Sequence, residues 1–132
     1  MKILIIGSGG REHAIAMALS KSPNQNQLYA LPGNPGIEEY CECIEIDVSD
    51  FEGIKNFAKS NKIQLVIVGP EVPICDGISD YLKEYRVDVF APSQEASKLE
   101  SSKKFTKEIA FENNIPTAVS YTHLTLPTNR EV

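Results

Sequence analysis

Residues 3–6 read Ile-Leu-Ile-Ile and stop at Gly7; Ser8, Gly9, Gly10, Arg11 and Glu12 then lead into Ala14, Ile15, Ala18 and Leu19 at helical spacing. A β-branched apolar run without polar alternation is the pattern of a strand buried on both faces, which needs a helical layer on each side. The helix is expected from Arg11 or Glu12 to about Ser22, just before Pro23. This strand, turn and helix commit the chain to an α/β architecture if the unit repeats.

It does repeat. A strand is expected at residues 28–31, followed by the turn "PGNPG". "CIEIDV" alternates as a strand with one wetter face does. Ser49 and Glu52 have the spacing of a capping box, and Phe51, Ile54, Phe57 and Ala58 continue one helical face. "LVIV" is another buried strand closed by "GPEVP"; Ile78, Tyr81, Leu82 and Tyr85 mark a third helix, and "VDVFAPS" a last strand and turn. Strands alternating with helices imply right-handed crossovers and a doubly wound, mostly parallel sheet. The turns "GSGGREH", "PGNPG" and "GPEVP" should then gather at the carboxyl edge, where such sheets hold ligands.

A length of 132 residues with 42% apolar composition suits one domain with a real core. The net charge of −5 argues against a sequence-independent nucleic-acid binder, which needs a basic surface to displace counterions. Any anion must be caught locally. Cys41, Cys43 and Cys75 lack the spacing of a zinc site or a disulfide framework and read as plain thiols. The opening apolar run meets Gly7 too early for a signal segment, and no other stretch approaches a membrane span, so no membrane partner and a cytoplasmic location are expected.

The glycine turn first suggests a dinucleotide, but two positions disagree. The slot of the third glycine, which brings helix and strand close, holds Glu12, and "LYALPGN" lacks the acid expected about 20 residues on to hold a ribose hydroxyl. An anion site remains: the N–H groups of residues 8–11 at a helix N-terminus, with the Arg11 fork beside them. The plainer alternative is a tight turn with a solvated arginine, and His13 is open between packing and ligand contact. Glu71, between Pro70 and Pro73, holds a carboxylate at the end of a buried strand, suited to sugar hydroxyls or an amine unless it is a surface acid. Asn34, between Gly33 and Pro35, is a turn former or a contact. The loops together describe a phosphosugar-sized ligand.

"GSGGREHA", "PGNPG", "VGPEVPICDGI", and "LESSKKFTKE" followed by "IPTA" resemble, in that order, the phosphoribosylamine–glycine ligase (glycinamide ribonucleotide synthetase) family. The resemblance implies a Rossmann-like pre-ATP-grasp domain that helps bind phosphoribosylamine. The family reaction joins glycine, activated as an acyl phosphate, to that amine, consuming ATP with magnesium or manganese. It also implies a phosphate loop of Gly9, Gly10, Arg11 and Glu12, Asn34 and Glu71 as contacts to the sugar or amine, and Lys103 as a lysine reaching the nucleotide phosphates. Without the family, Ser102, Lys103, Lys104 and Lys107 read as an exposed helix face. The alternatives are a nucleotide- or phosphosugar-binding Rossmann-type module without a ligase role, and the N-terminal domain of another ATP-grasp enzyme.

From about Ser120 the sequence "SYTHLTLPTNREV" does not resemble the family. The expected organisation is a binding domain at 1–101, the start of a truncated ATP-grasp region at 102–119, and a non-native tail at 120–132. Phe105 and Ile109 on the helix 102–113 are expected to be exposed. The 132-residue chain alone is expected to be inactive: an assay with ATP, glycine and phosphoribosylamine should give no glycinamide ribonucleotide above the blank.

Overall fold

β1 (Lys2–Gly7) pairs on one side with β2 (Gln27–Pro32) and on the other with β4 (Leu65–Val68), both in parallel. β3 (Glu42–Cys43) and β5 (Val89–Phe90) complete a parallel five-stranded sheet of order β3-β2-β1-β4-β5. The computed structural model describes residues 1–116, so the tail expected from residue 120 lies outside the described residues.

Strand geometry explains the layers. Successive side chains of β1 point to opposite faces. Leu4 and Ile6 join Tyr29, Leu31, Val66 and Val68 against Ile54 and Ala58 of α2 (Phe51–Ser60) and Ile78 and Leu82 of α4 (Ile78–Glu84). Ile3 and Ile5 join Leu28 and Ala30 against Ala16 of α1 (Gly10–Ser20) and Ile37 of a 3₁₀ turn (Ile37–Glu39). Burying a Leu or Ile contributes about 1.5–3 kcal/mol, so these two faces supply most of the driving force for the sheet.

Several expectations need correction. The strand expected for "CIEIDV" pairs only at Glu42 and Cys43; beyond them Ile44 N–H still donates to Ala30 O at 2.8 Å, and Ile46 and Val48 pack on the core without a ladder. The "GPEVP" turn opens α3 (Glu71–Cys75), with Pro70 as its cap and Pro73 buried in its first turn, where a missing N–H leaves no bond unmade. The cap of α2 is Asp50, whose Oδ1 accepts Gly53 N–H at 2.9 Å, while the Ser49 hydroxyl donates to Asp47. Those Ser49 hydrogen bonds hold the Asp47 carboxyl below its ordinary range.

All three cysteines are free thiols, and burial, with Cys43 adding to it, pushes Cys41 up to about 11. Among the described residues no helix is long and apolar enough to cross a membrane.

The first compact unit, Met1–Glu95, contains the whole sheet. The second begins at Ala96, within α5 (Gln94–Ser101), and includes α6 (Lys103–Glu112), capped by the Ser102 hydroxyl accepting Phe105 N–H at 3.2 Å. Phe105 and Ile109 are half-buried rather than exposed; Phe111, on another face of α6, is 85% exposed.

The cap assignment is testable by thermal unfolding. Asp50→Ala should cost about 1 kcal/mol, and Ser49→Ala distinctly less; the reverse order would restore the capping-box reading.

Candidate functional site

The carboxyl ends of β1 and β4 are adjacent, and the chain leaves β1 toward one side of the sheet and β4 toward the other. Ligands of open α/β sheets sit at such a reversal of strand order. An open cleft of about 460 Å³ lies here between residues 9–12 and residues 69–72. A second, of about 650 Å³, is lined by Gly7, Ser8, Pro32, residues 45–48, Pro70, Val72 and Pro73. Pro70 and Val72 border both.

Arg11 is exposed on α1, and its Nη1 donates to Gly69 O at 3.1 Å. A guanidinium carries five N–H donors, so one bond fixes the fork while others remain to take an anion. Gly10 and Arg11 stand in the first turn of α1, where no carbonyl of the helix can reach their N–H groups. Gly9 differs: its N–H donates to Glu12 Oε2 at 3.1 Å. Glu12 itself is only 5% exposed, behind the turn rather than projecting from it.

Glu71 is exposed at the first position of α3 and lines the smaller cleft opposite Arg11. Five expected site residues, Gly9, Gly10, Arg11, Glu12 and Glu71, thus meet in one cleft. Asn34 lines neither cleft: its Nδ2 donates to Ser8 O at 2.8 Å and its Oδ1 accepts Ile37 N–H at 2.9 Å. It ties the turn after β2 to the turn after β1. His13 packs: its ring lies 5.8 Å from Tyr40 and closes over Gly36. Lys103 belongs to the second unit, exposed at the first position of α6.

Gly69 and Val72 were not anticipated. Gly69 opens the turn after β4, with its N–H donating to Ile6 O at 3.1 Å and its C=O accepting from Arg11. The only sequence signal is a glycine directly after a buried strand, a sign of close backbone approach. Val72, within the "GPEVP" turn, is 68% exposed at the border of the two clefts, and its residue type does not single it out.

A parallel sheet with a glycine turn and a polar cleft at its strand-order reversal defines a domain of the doubly wound α/β class with a candidate ligand site at that edge. Residues 1–100 match the family described as phosphoribosylglycinamide synthetase, N domain, and the chain belongs to that family. The phosphoribosylamine–glycine ligase of Mesorhizobium japonicum is 48% identical over 118 residues, covering 89% of this chain and 28% of that protein. The crystal structure of phosphoribosylamine–glycine ligase from Thermotoga maritima superposes with a TM-score of 0.63 at 27% identity, over 90% of this chain and 26% of that one. A glycinamide-RNase-transformylase T from Mycobacterium tuberculosis shares the fold at a TM-score of 0.69 and 15% identity, over 90% of this chain and 34% of that one. The chain spans about 28% of the length of the curated relatives it matches.

Replacing Asn34 by Ala removes both ends of its bridge and should destabilise the first unit by about 1–2 kcal/mol, measured by denaturant unfolding, with a shift of the Ile37 amide resonance. Unchanged stability would mean that this amide is free for a ligand.

Proposed function

We propose that the first unit is the phosphoribosylamine-binding part of a phosphoribosylamine–glycine ligase, which joins glycine to 5-phosphoribosylamine with conversion of ATP to ADP and phosphate in purine biosynthesis, in the cytoplasm. One observation carries the reading: a single cleft has the Arg11 fork and the first-turn N–H groups of α1 on one wall and the Glu71 carboxylate on the other. A phosphate suits the first wall, because the helix terminus and a guanidinium both favour an anion. An amine or ribose hydroxyls suit the second, because an ionised carboxylate only accepts hydrogen bonds.

The phosphate loop in this reading is Gly9, Gly10 and Arg11, with the amides of Gly10 and Arg11 as donors, since that of Gly9 is taken. Glu12 shapes the loop from behind, and Asn34 holds it through Ser8. Substrate selection in this cleft rests on orientation: opposite charges on opposite walls fix which end of a phosphosugar goes where.

The described residues do not fit a magnesium or manganese centre, because no group of three or more His, Cys, Asp or Glu side chains gathers among them. Nor is Lys103 alone a nucleotide site. We assign ATP, glycine and metal binding to the further length that the relatives have, with residues from about 102 onward leading into it.

The test is an NMR titration of the 132-residue chain with ribose 5-phosphate, a stable stand-in for phosphoribosylamine, against NAD. Saturable shifts at residues 7–13 with ribose 5-phosphate alone are expected, with affinity falling about tenfold in Arg11→Ala as a charge-assisted hydrogen bond is lost. Shifts of the same amides with NAD would favour the nucleotide module instead.

A further inference from the structure

Glu12 is the one charged residue whose side chain is buried in the first unit among the described residues. Its neighbours explain how that is tolerated. A Cβ on Gly7 would lie 2.5 Å from Glu12 Oε1 and one on Gly9 3.1 Å from Oε2, while one on Gly69 would overlap Oε1. Three glycines, two from the turn after β1 and one from the turn after β4, therefore leave the volume that one carboxylate fills. The same Gly69 takes the Arg11 fork on its carbonyl. Consecutive side chains of α1 thus grip one glycine of the opposite turn, one over its Cα and one at its oxygen.

We propose that Glu12 is a positioning residue, a buried clamp that sets the spacing of the β1 and β4 turns, and that Gly69 is glycine to receive its carboxylate. In a dinucleotide turn one glycine serves the tight turn and another the close approach of a phosphate; here Gly7, at φ 134°, needs to be glycine for its backbone as well as for the carboxylate, whereas Gly69 is accounted for by a side chain of the protein itself. The clamp also orients the cleft. By accepting Gly9 N–H, Glu12 removes one of the donors at the head of α1 and leaves those of Gly10 and Arg11 facing outward. Because both walls of the cleft start at the clamped residues, a change in their separation alters the distance between Arg11 and Glu71. This last consequence rests on the phosphosugar reading; the clamp itself does not.

The experiment is a double-mutant cycle in the 132-residue chain with Glu12→Ala, Gly69→Ala and the pair, read by thermal unfolding and by hydrogen exchange of the Gly9 amide. Gly69→Ala alone should lower Tm and speed exchange at Gly9 about tenfold, because the new methyl expels the carboxylate that holds that N–H. In the Glu12→Ala background the same methyl enters vacated space, so its effect on Tm should shrink or vanish. Glu12→Gln keeps an acceptor of the same length and should preserve slow Gly9 exchange, which a general loss of stability would not. Additive effects on Tm, Gly9 exchange unchanged by Gly69→Ala, or Gly9 exchange sped by Glu12→Gln as much as by Glu12→Ala, would overturn the clamp. Should Glu12→Ala fail to fold, Gly69→Ala and Glu12→Gln decide the matter through Gly9 exchange alone. With ribose 5-phosphate, Glu12→Ala should bind about tenfold more weakly than wild type and Glu12→Gln nearly as well. A wild-type chain that ignores ribose 5-phosphate would instead overturn the reading of the site, with the cycle still deciding the clamp.

Discussion

Parallel pairing on both sides of β1 is the constraint from which the rest follows. A strand with parallel neighbours left and right cannot be joined to either by a tight turn, so each connection must cross a face of the sheet, and helices are the economical crossing. That geometry buries Ile3 and Ile5 on one side and Leu4 and Ile6 on the other. It also fixes polarity: every strand ends at the same edge, bringing Gly7, Pro32 and Gly69 together from distant parts of the chain. The backbone links there are direct, with Gly33 N–H donating to Gly7 O and Gly69 N–H to Ile6 O, each at 3.1 Å.

Charge at this edge is set locally in a chain that is acidic overall. Arg11 faces the smaller cleft with Glu71 across from it, whereas the larger cleft has Glu45 and Asp47 at its rim. In the proposed reading, repulsion from these carboxylates and attraction to one arginine would favour an anion beside Arg11 over one in the larger cleft. The Ser49 hydrogen bonds that lower the Asp47 pKa extend its negative charge toward more acidic pH and leave it unchanged at neutral pH.

The elements most legible in the sequence are those where many residues agree. β1 and β4 are continuous apolar runs, and α2 and α4 each carry apolar residues at helical spacing that the structure buries, such as Ile54 with Ala58 and Ile78 with Leu82. Legibility fails where one tertiary contact outweighs local pattern. Glu12 belongs to the inward stripe of α1 with Ala16, but no rule of hydrophobic periodicity puts a carboxylate there, because its burial depends on Gly69, far along the chain, as well as on the nearby Gly7 and Gly9. Asn34 reads as a turn former, and its bridge to Ser8 depends on the sheet having been assembled. α3 is too short to show a period, and its Pro73 reads as a breaker until its place in the first turn is known. Gly9, Gly10, Arg11, Glu12 and Glu71 stand out in the sequence because residue type and motif mark them, and the structure places them along one cleft; the burial of Glu12 has no such mark.

The outermost strands, β3 and β5, pair over only two residues each. A sheet edge of that length offers an incoming strand almost no ladder of free N–H and C=O groups to extend. Past Cys43 the chain leaves the ladder with Ile44, Ile46 and Val48 packed inward, and Phe90, although 72% exposed, sits on a strand with no length to recruit a partner. The brevity of these strands is therefore a protection against edge-to-edge aggregation for a domain whose central strands are among the most β-prone segments it has.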